Sequence, residues 1–163
     1  METHFTIPGK PQGKARPRVR RDGHAYTPSQ TTQYEELVRW CWRRSGAVRL
    51  NGAIRAVILA RYPVPKRDSK KMQDAKICGE IPCTIKPDCD NIAKIVLDAL
   101  NGFAYDDDSQ VTELEVHKFY GDIGDVFVRL EEIKEESTYG GVSSKTGWKM
   151  STRRCGISGN SKS

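Results

Sequence analysis

One run of residues near the middle of the chain, Ala53 to Tyr62 (AIRAVILARY), constrains the fold more than any other segment. It is rich in apolar and β-branched residues and is closed by Pro63-Val64-Pro65, which predicts a well-buried strand, central in its sheet. The flanking segments change period. His4 to Ile7 alternates as a short first strand ended by Pro8-Gly9. Thr27-Pro28-Ser29 predicts a helix start, with Thr27 as N-cap and Pro28 at the first helical position, where its missing N–H costs nothing. Tyr34, Leu37, Val38, Cys41 and Trp42 then follow at helical spacing as a buried stripe, with Arg39, Arg43 and Arg44 off it and Gly46 as the stop.

Lys66 to Lys76 is charged and unpatterned, so it is expected as an exposed loop or short helix. Asp90 to Asn101 carries Ile92, Ile95, Val96, Ala99 and Leu100 at helical spacing, a second amphipathic helix closed by Asn101-Gly102. Val111 to Phe119 and Asp125 to Glu131 read as two strands around Gly121-Asp122-Ile123-Gly124, a hairpin signal. The expected fold class is α+β: a mixed β-sheet with two main amphipathic helices. At 163 residues the chain suits one domain, expected over 1–134. Residues 135–163 hold Gly, Ser, Lys and Thr with little to bury and are expected to form a disordered basic tail.

A mean hydropathy of −0.63 with 29% charged residues excludes fibrous and membrane-spanning classes, and no stretch nears the roughly 20 apolar residues of a spanning helix. Met1-Glu2-Thr3-His4 lacks the layout of a secretion signal, so a soluble, cytoplasmic protein with no membrane partner is expected. The cysteines Cys41, Cys78, Cys83, Cys89 and Cys155 form no Cys-x-x-Cys pair and match no common zinc spacing, which favours reduced packing residues.

Charge falls in blocks. Residues 1–71 hold 16 Lys and Arg against 5 acids, 72–136 hold 6 against 16, and 137–163 hold 5 against none. A basic first half suits a polyanion, because neutralising phosphates releases counterions. Acids beside a phosphate-binding surface repel the ligand unless cations offset them, and that pairing points to a metal-dependent enzyme acting on nucleic acid. The basic loop Gly9 to Arg21 supplies candidate phosphate contacts at Lys10, Lys14, Arg16, Arg18, Arg20 and Arg21, and the first helix adds Arg39, Arg43 and Arg44. Trp40, off the buried stripe, suits either base stacking or, as the better fit, a subunit interface.

The chemistry concentrates in KPDCDNIAKIVLDALNG, residues 86–102, and in Tyr105-Asp106-Asp107-Asp108-Ser109-Gln110-Val111. Asp90, Lys94 and Asp98 share the helix face opposite Ile92, Val96 and Ala99. Asp88 stands two residues before Asp90 in an extended approach set by Pro87, so both carboxylates can point one way. A short connection can return the Asp106–Asp108 run to the same place, giving oxygen ligands for a hard cation such as Mg²⁺. Such an ion can assist phosphodiester hydrolysis while Lys94 offsets transition-state charge. A purely structural use of the same residues is also consistent: Asp90 as an N-cap, Asp98 with Lys94 as an ordinary i, i+4 pair, and Asp106–Asp108 as a polar turn.

KPDCDNIAKIVLDALNG followed by DDSQV strongly resembles the RusA family of Holliday-junction resolvases, endodeoxyribonucleases common in bacteria and prophages. The opening strand, the PGKPQGKARPR loop and HAYTP resemble its phage-type members, and the likeness covers roughly residues 4–131. The resemblance implies a homodimeric α+β fold that binds branched DNA, the four-way junction above all, and nicks symmetrically related strands. It implies Mg²⁺, with Mn²⁺ as a candidate substitute, and no small-molecule cofactor. Its essential acids fall on Asp88, Asp90 and Asp108, with Asp107 an alternative or additional metal ligand because the triple Asp blurs the match, and its lysine falls on Lys94. The PD-(D/E)xK nuclease pattern fails, because Lys118 has Val116 where an acid is needed. The alternative from another class is a catalytically inactive or regulatory module that only binds branched DNA.

Overall fold

The structure is a computed structural model that describes residues 1–15, 18–19, 25–26 and 28–134. In chain order, β1 (Glu2–Pro8) precedes two short strands, β2 (Arg18–Val19) and β3 (Ala25–Tyr26), which pair with each other. Helix α1 (Ser29–Arg44), strand β4 (Ile54–Pro63), helices α2 (Lys70–Ile77) and α3 (Cys89–Leu100), a 3-10 turn (Asp108–Gln110) and strands β5 (Val111–Gly121) and β6 (Asp125–Glu132) follow. The architecture is α+β, with a four-stranded mixed sheet in the order β1-β6-β4-β5. No helix among the described residues is long and apolar enough to cross a membrane.

Strand β4 is central, as its composition predicts. Ile54, Ala56, Ile58, Ala60 and Tyr62 are all fully buried on one face. They join Phe5 and Ile7 from β1, Val126, Val128 and Leu130 from β6, the α1 stripe Tyr34, Val38 and Cys41, and α3 residues Ile92, Ile95, Val96, Ala99 and Leu100 in one core. Leu37 and Trp42 pack on its margin. The helical spacing read in the sequence therefore corresponds to real inward faces on both main helices.

Two local expectations are corrected. Pro28 itself is the N-cap of α1, and the helix begins at Ser29; Thr27 lies outside the described residues. Of the two readings open for Lys66–Lys76, a loop or a short helix, the structure has the helix: α2 follows Ser69, an N-cap that accepts a hydrogen bond from the Met72 amide. The hairpin is absent: β5 and β6 do not pair with each other, because β4 lies between them, parallel to β5 and antiparallel to β6. The three-residue connection from Gly121 to Asp125 spans four Cα–Cα steps and reaches about 13 Å, enough to cross the roughly 10 Å between strands two places apart. The most apolar strand gains most from two neighbours, so β4 takes the inner slot and the Glu-rich β5 takes the edge.

Candidate active site at the start of the third helix

Asp88 is the N-cap of α3, in extended conformation (φ −72°, ψ 160°), yet its side chain makes no capping hydrogen bond. Asp90 lies in the first turn and not at the cap. Both acids are exposed, and neither carboxylate has a hydrogen bond or ion pair with a described residue. A carboxylate in the first helical turn is favoured by the helix dipole, which partly offsets the repulsion between the two acids. Two uncommitted carboxylates at one helix start suit a cation better than they suit a structural cap.

Lys94, one turn beyond Asp90, is exposed, and its ammonium has no hydrogen bond or ion pair with a described residue. The Lys94–Asp98 pair of the purely structural alternative does not form. Asp98 instead receives Lys14, whose Nζ stands 3.0 Å from Oδ2 and also bonds Glu35. Burial alone would lower the Lys14 pKa, but its hydrogen bonds to Glu35 and Asp98 outweigh that and raise it. Among the described residues Lys94 is thereby left free to meet a phosphate.

The loop around Lys14 packs directly against this site. The Lys14 amide donates to the Asn91 carbonyl at 2.9 Å. A Cβ on Gly13 would stand 2.6 Å from Cβ of Pro87, so only glycine lets the loop pass so close to the approach to Asp88. Lys10 remains exposed. A groove of about 340 Å³ lined in part by Lys10, Gln12, Gln30 and Lys86 runs along this junction.

The three acids after α3 have separate fates. Asp106 is paired with Arg49. Asp107 caps the 3-10 turn: its carboxylate accepts from the Ser109 hydroxyl and from the Ser109 amide at 3.2 Å, and those bonds hold its pKa below the usual aspartate range. Gln110 completes the capping box by accepting the Asp107 amide at 3.2 Å. Asp108 is exposed, and its carboxylate has no hydrogen bond or ion pair with a described residue. Among the described residues no three Asp, Glu, His or Cys side chains are grouped to hold a metal ion. Asp88 and Asp90 still fit Mg²⁺ by donor chemistry, since this cation keeps several waters and takes only one or two carboxylates plus substrate phosphate, while Asp108 completes no three-acid group with them.

The basic residues divide likewise. Arg43 and Arg44 are exposed, over the rings of Phe103 (4.9 Å) and Trp40 (5.2 Å). Arg39 is half-buried and donates from Nε to the Ala99 carbonyl at 3.0 Å, so Arg39 and Lys14 serve internal contacts. Arg16, Arg20 and Arg21 lie outside the described residues, and of Arg18 only its place in β2 is described. Sequence reading missed Lys118 as a contributor here. Its Nζ donates to the carbonyls of Ile85 at 2.6 Å and Pro87 at 3.0 Å. The available signal was a lysine in phase with the apolar Val116 and Tyr120.

Comparison with known proteins gives the class. The family model described as "Endodeoxyribonuclease RusA" matches residues 8–131, which include every acid and lysine of this site. The chain is also 34% identical over 135 residues to the "Uncharacterized protein YqaN" of Bacillus subtilis (strain 168), across 79% of this chain and 95% of that protein. The chain belongs to the RusA family of endodeoxyribonucleases.

Proposed function

We propose that the protein is a Mg²⁺-dependent, structure-selective endonuclease that resolves four-way DNA junctions by paired phosphodiester hydrolysis, acting in the cytoplasm as a two-fold homodimer. The observation that carries this is the start of α3, where Asp88 and Asp90 stand exposed and uncommitted with Lys94 one turn on. Asp88 and Asp90, joined by Asp108, are the residues that would hold the cation. When bound, Mg²⁺ supplies polarisation of the phosphoryl oxygen and a more acidic water.

The chain's own groups do the rest. Lys94 donates to the non-bridging oxygens, whose charge grows in the transition state. Lys10, Arg43 and Arg44 hold flanking phosphates and fix the strand without reading sequence. Arg16, Arg18, Arg20 and Arg21 add positive charge that favours phosphate binding. Asp107 and Gln110 shape the turn that presents Asp108. A junction has near two-fold symmetry, so an isologous dimer offers it two identical sites, and Trp40, 54% exposed, suits the subunit interface.

The test is cleavage of labelled four-way junction, three-way branch and linear duplex of matched sequence, with Mg²⁺, with Mn²⁺ and with EDTA. Paired nicks on the junction that need the metal and vanish in Asp90→Asn are expected. Tight junction binding without cleavage in any metal would instead identify a module that only binds branched DNA.

A further inference from the structure

We infer that Lys118 is a positioning residue for the acids at the start of α3, an assignment that rests on the nuclease reading above. Lys118 lies on β5 opposite Ala60 of β4, in phase with Val116 and Tyr120, which pack against the core. An ammonium on that face loses hydration and is costly there unless it is hydrogen-bonded. It meets the requirement through two backbone oxygens, those of Ile85 and Pro87.

Those carbonyls belong to the segment that feeds α3, and Pro87 immediately precedes the N-cap Asp88. Two bonds from one side chain tie both ends of a three-residue segment to the sheet. From the other side Gly13 packs on Pro87, and Lys14 reaches the Asn91 carbonyl. The Asp88 carboxylate makes no capping bond that would aim it, so its direction depends on the backbone that Lys118 and Gly13 hold between them. A misplacement of about 1 Å at reacting groups can cost roughly 10²-fold in rate. Lys118 acts through Asp88 and does not itself touch the phosphate.

The experiment compares Lys118→Met with Lys118→Arg in the full chain. Lys118→Met keeps the length of the side chain and removes its donors; Lys118→Arg restores them. Junction cleavage is measured as kcat and KM, junction affinity in Ca²⁺, and amide exchange residue by residue. In Lys118→Met we expect kcat to fall roughly 10- to 100-fold, with KM and Ca²⁺-supported affinity unchanged within about twofold. Faster exchange is expected at the Ile92 amide, which donates to the Asp88 carbonyl at 3.1 Å, with the amides of β4 and β6 unaffected. Partial rescue of both readouts by Lys118→Arg completes the expected pattern.

Unchanged exchange at Ile92 overturns the inference, whether or not the rate falls. Exchange that rises equally across the sheet, or a variant that does not fold while Lys118→Arg does no better, also overturns it by reducing Lys118 to a stability role. If the wild type cleaves nothing, the nuclease reading fails, and the exchange measurement still decides whether Lys118 holds the approach to Asp88.

Discussion

Lys14 Nζ lies 3.0 Å from Oδ2 of Asp98, which joins the basic N-terminal loop to the polar face of α3. With Glu35 as its other partner, Lys14 ties three segments together: loop, α1 and α3. The pair takes Asp98 away from Lys94 and so decides which lysine on this face is free for phosphate.

Lys14→Met is expected to destabilise the fold by about 1.5–3 kcal/mol, the usual range for a hydrogen bond to a charged group. Because the folded pKa of Lys14 is raised, its contribution is present in full below the unfolded lysine value of about 10.4 and is lost as pH rises through the folded value. Urea unfolding between neutral pH and pH 11 checks this. A midpoint gap between wild type and variant that does not narrow at high pH contradicts it.

Asp90→Asn is expected to lower cleavage on the order of 10³-fold while junction binding persists or tightens. The change removes a negative charge beside phosphate and leaves the basic surface intact. Gel-shift assays in Ca²⁺ alongside cleavage assays in Mg²⁺ separate the two effects, and binding lost in step with cleavage counts against the assignment.

Asp107 and Asp108 are expected to differ in kind. Asp108→Asn should abolish cleavage without altering melting. Asp107→Ala removes the cap from Ser109 and should loosen the turn, lowering cleavage only partly. The Asp107 carboxyl has a depressed pKa, so its capping contribution exists above the unfolded value of about 3.9 and is lost as pH falls through the lower folded value. Carboxyl NMR titration reads this directly; an ordinary value at Asp107 would remove it as the cap.

Gly13→Ala is expected to cost about 1–3 kcal/mol by overpacking against Pro87. It should also slow cleavage, since the displaced neighbour leads into Asp88. Wild-type melting and rate in this variant would show that the loop yields without consequence.

Ending the chain after Lys134 is expected to leave folding and cleavage intact. The last core strand ends at Glu132, and the Ile133 amide closes onto Ala53 at 2.8 Å. Circular dichroism and junction affinity of the shortened chain test it, and much weaker DNA binding would give the basic tail a role. Light scattering at micromolar concentration checks the proposed dimer on the same sample; a monomer would contradict it.

Much of the molecule was legible because one-dimensional pattern and local geometry coincide in it. The spacing of Tyr34, Val38 and Cys41, and of Ile92, Val96 and Ala99, names faces that turn inward, since 3.6 residues per turn admit few other outcomes. The apolar run of β4 announced its central place for the same reason. The motif around Asp88, Asp90 and Lys94 was readable as a family resemblance that the family match now supports.

What the amino-acid sequence determined by itself was therefore the two main helices and the four strands of the large sheet, most of the side chains they bury, and which acids and bases are candidates for chemistry. Tertiary structure decided the rest: β4 between β5 and β6, Lys14 with Asp98 in place of Lys94, Asp107 as a cap with Asp108 left uncommitted, and Lys118 beneath Pro87. The physical reason is one of range. Helical and strand periodicity is local along the chain, whereas strand order and ion pairing are set by competition among groups distant in sequence, and only packing brings those groups within reach of one another.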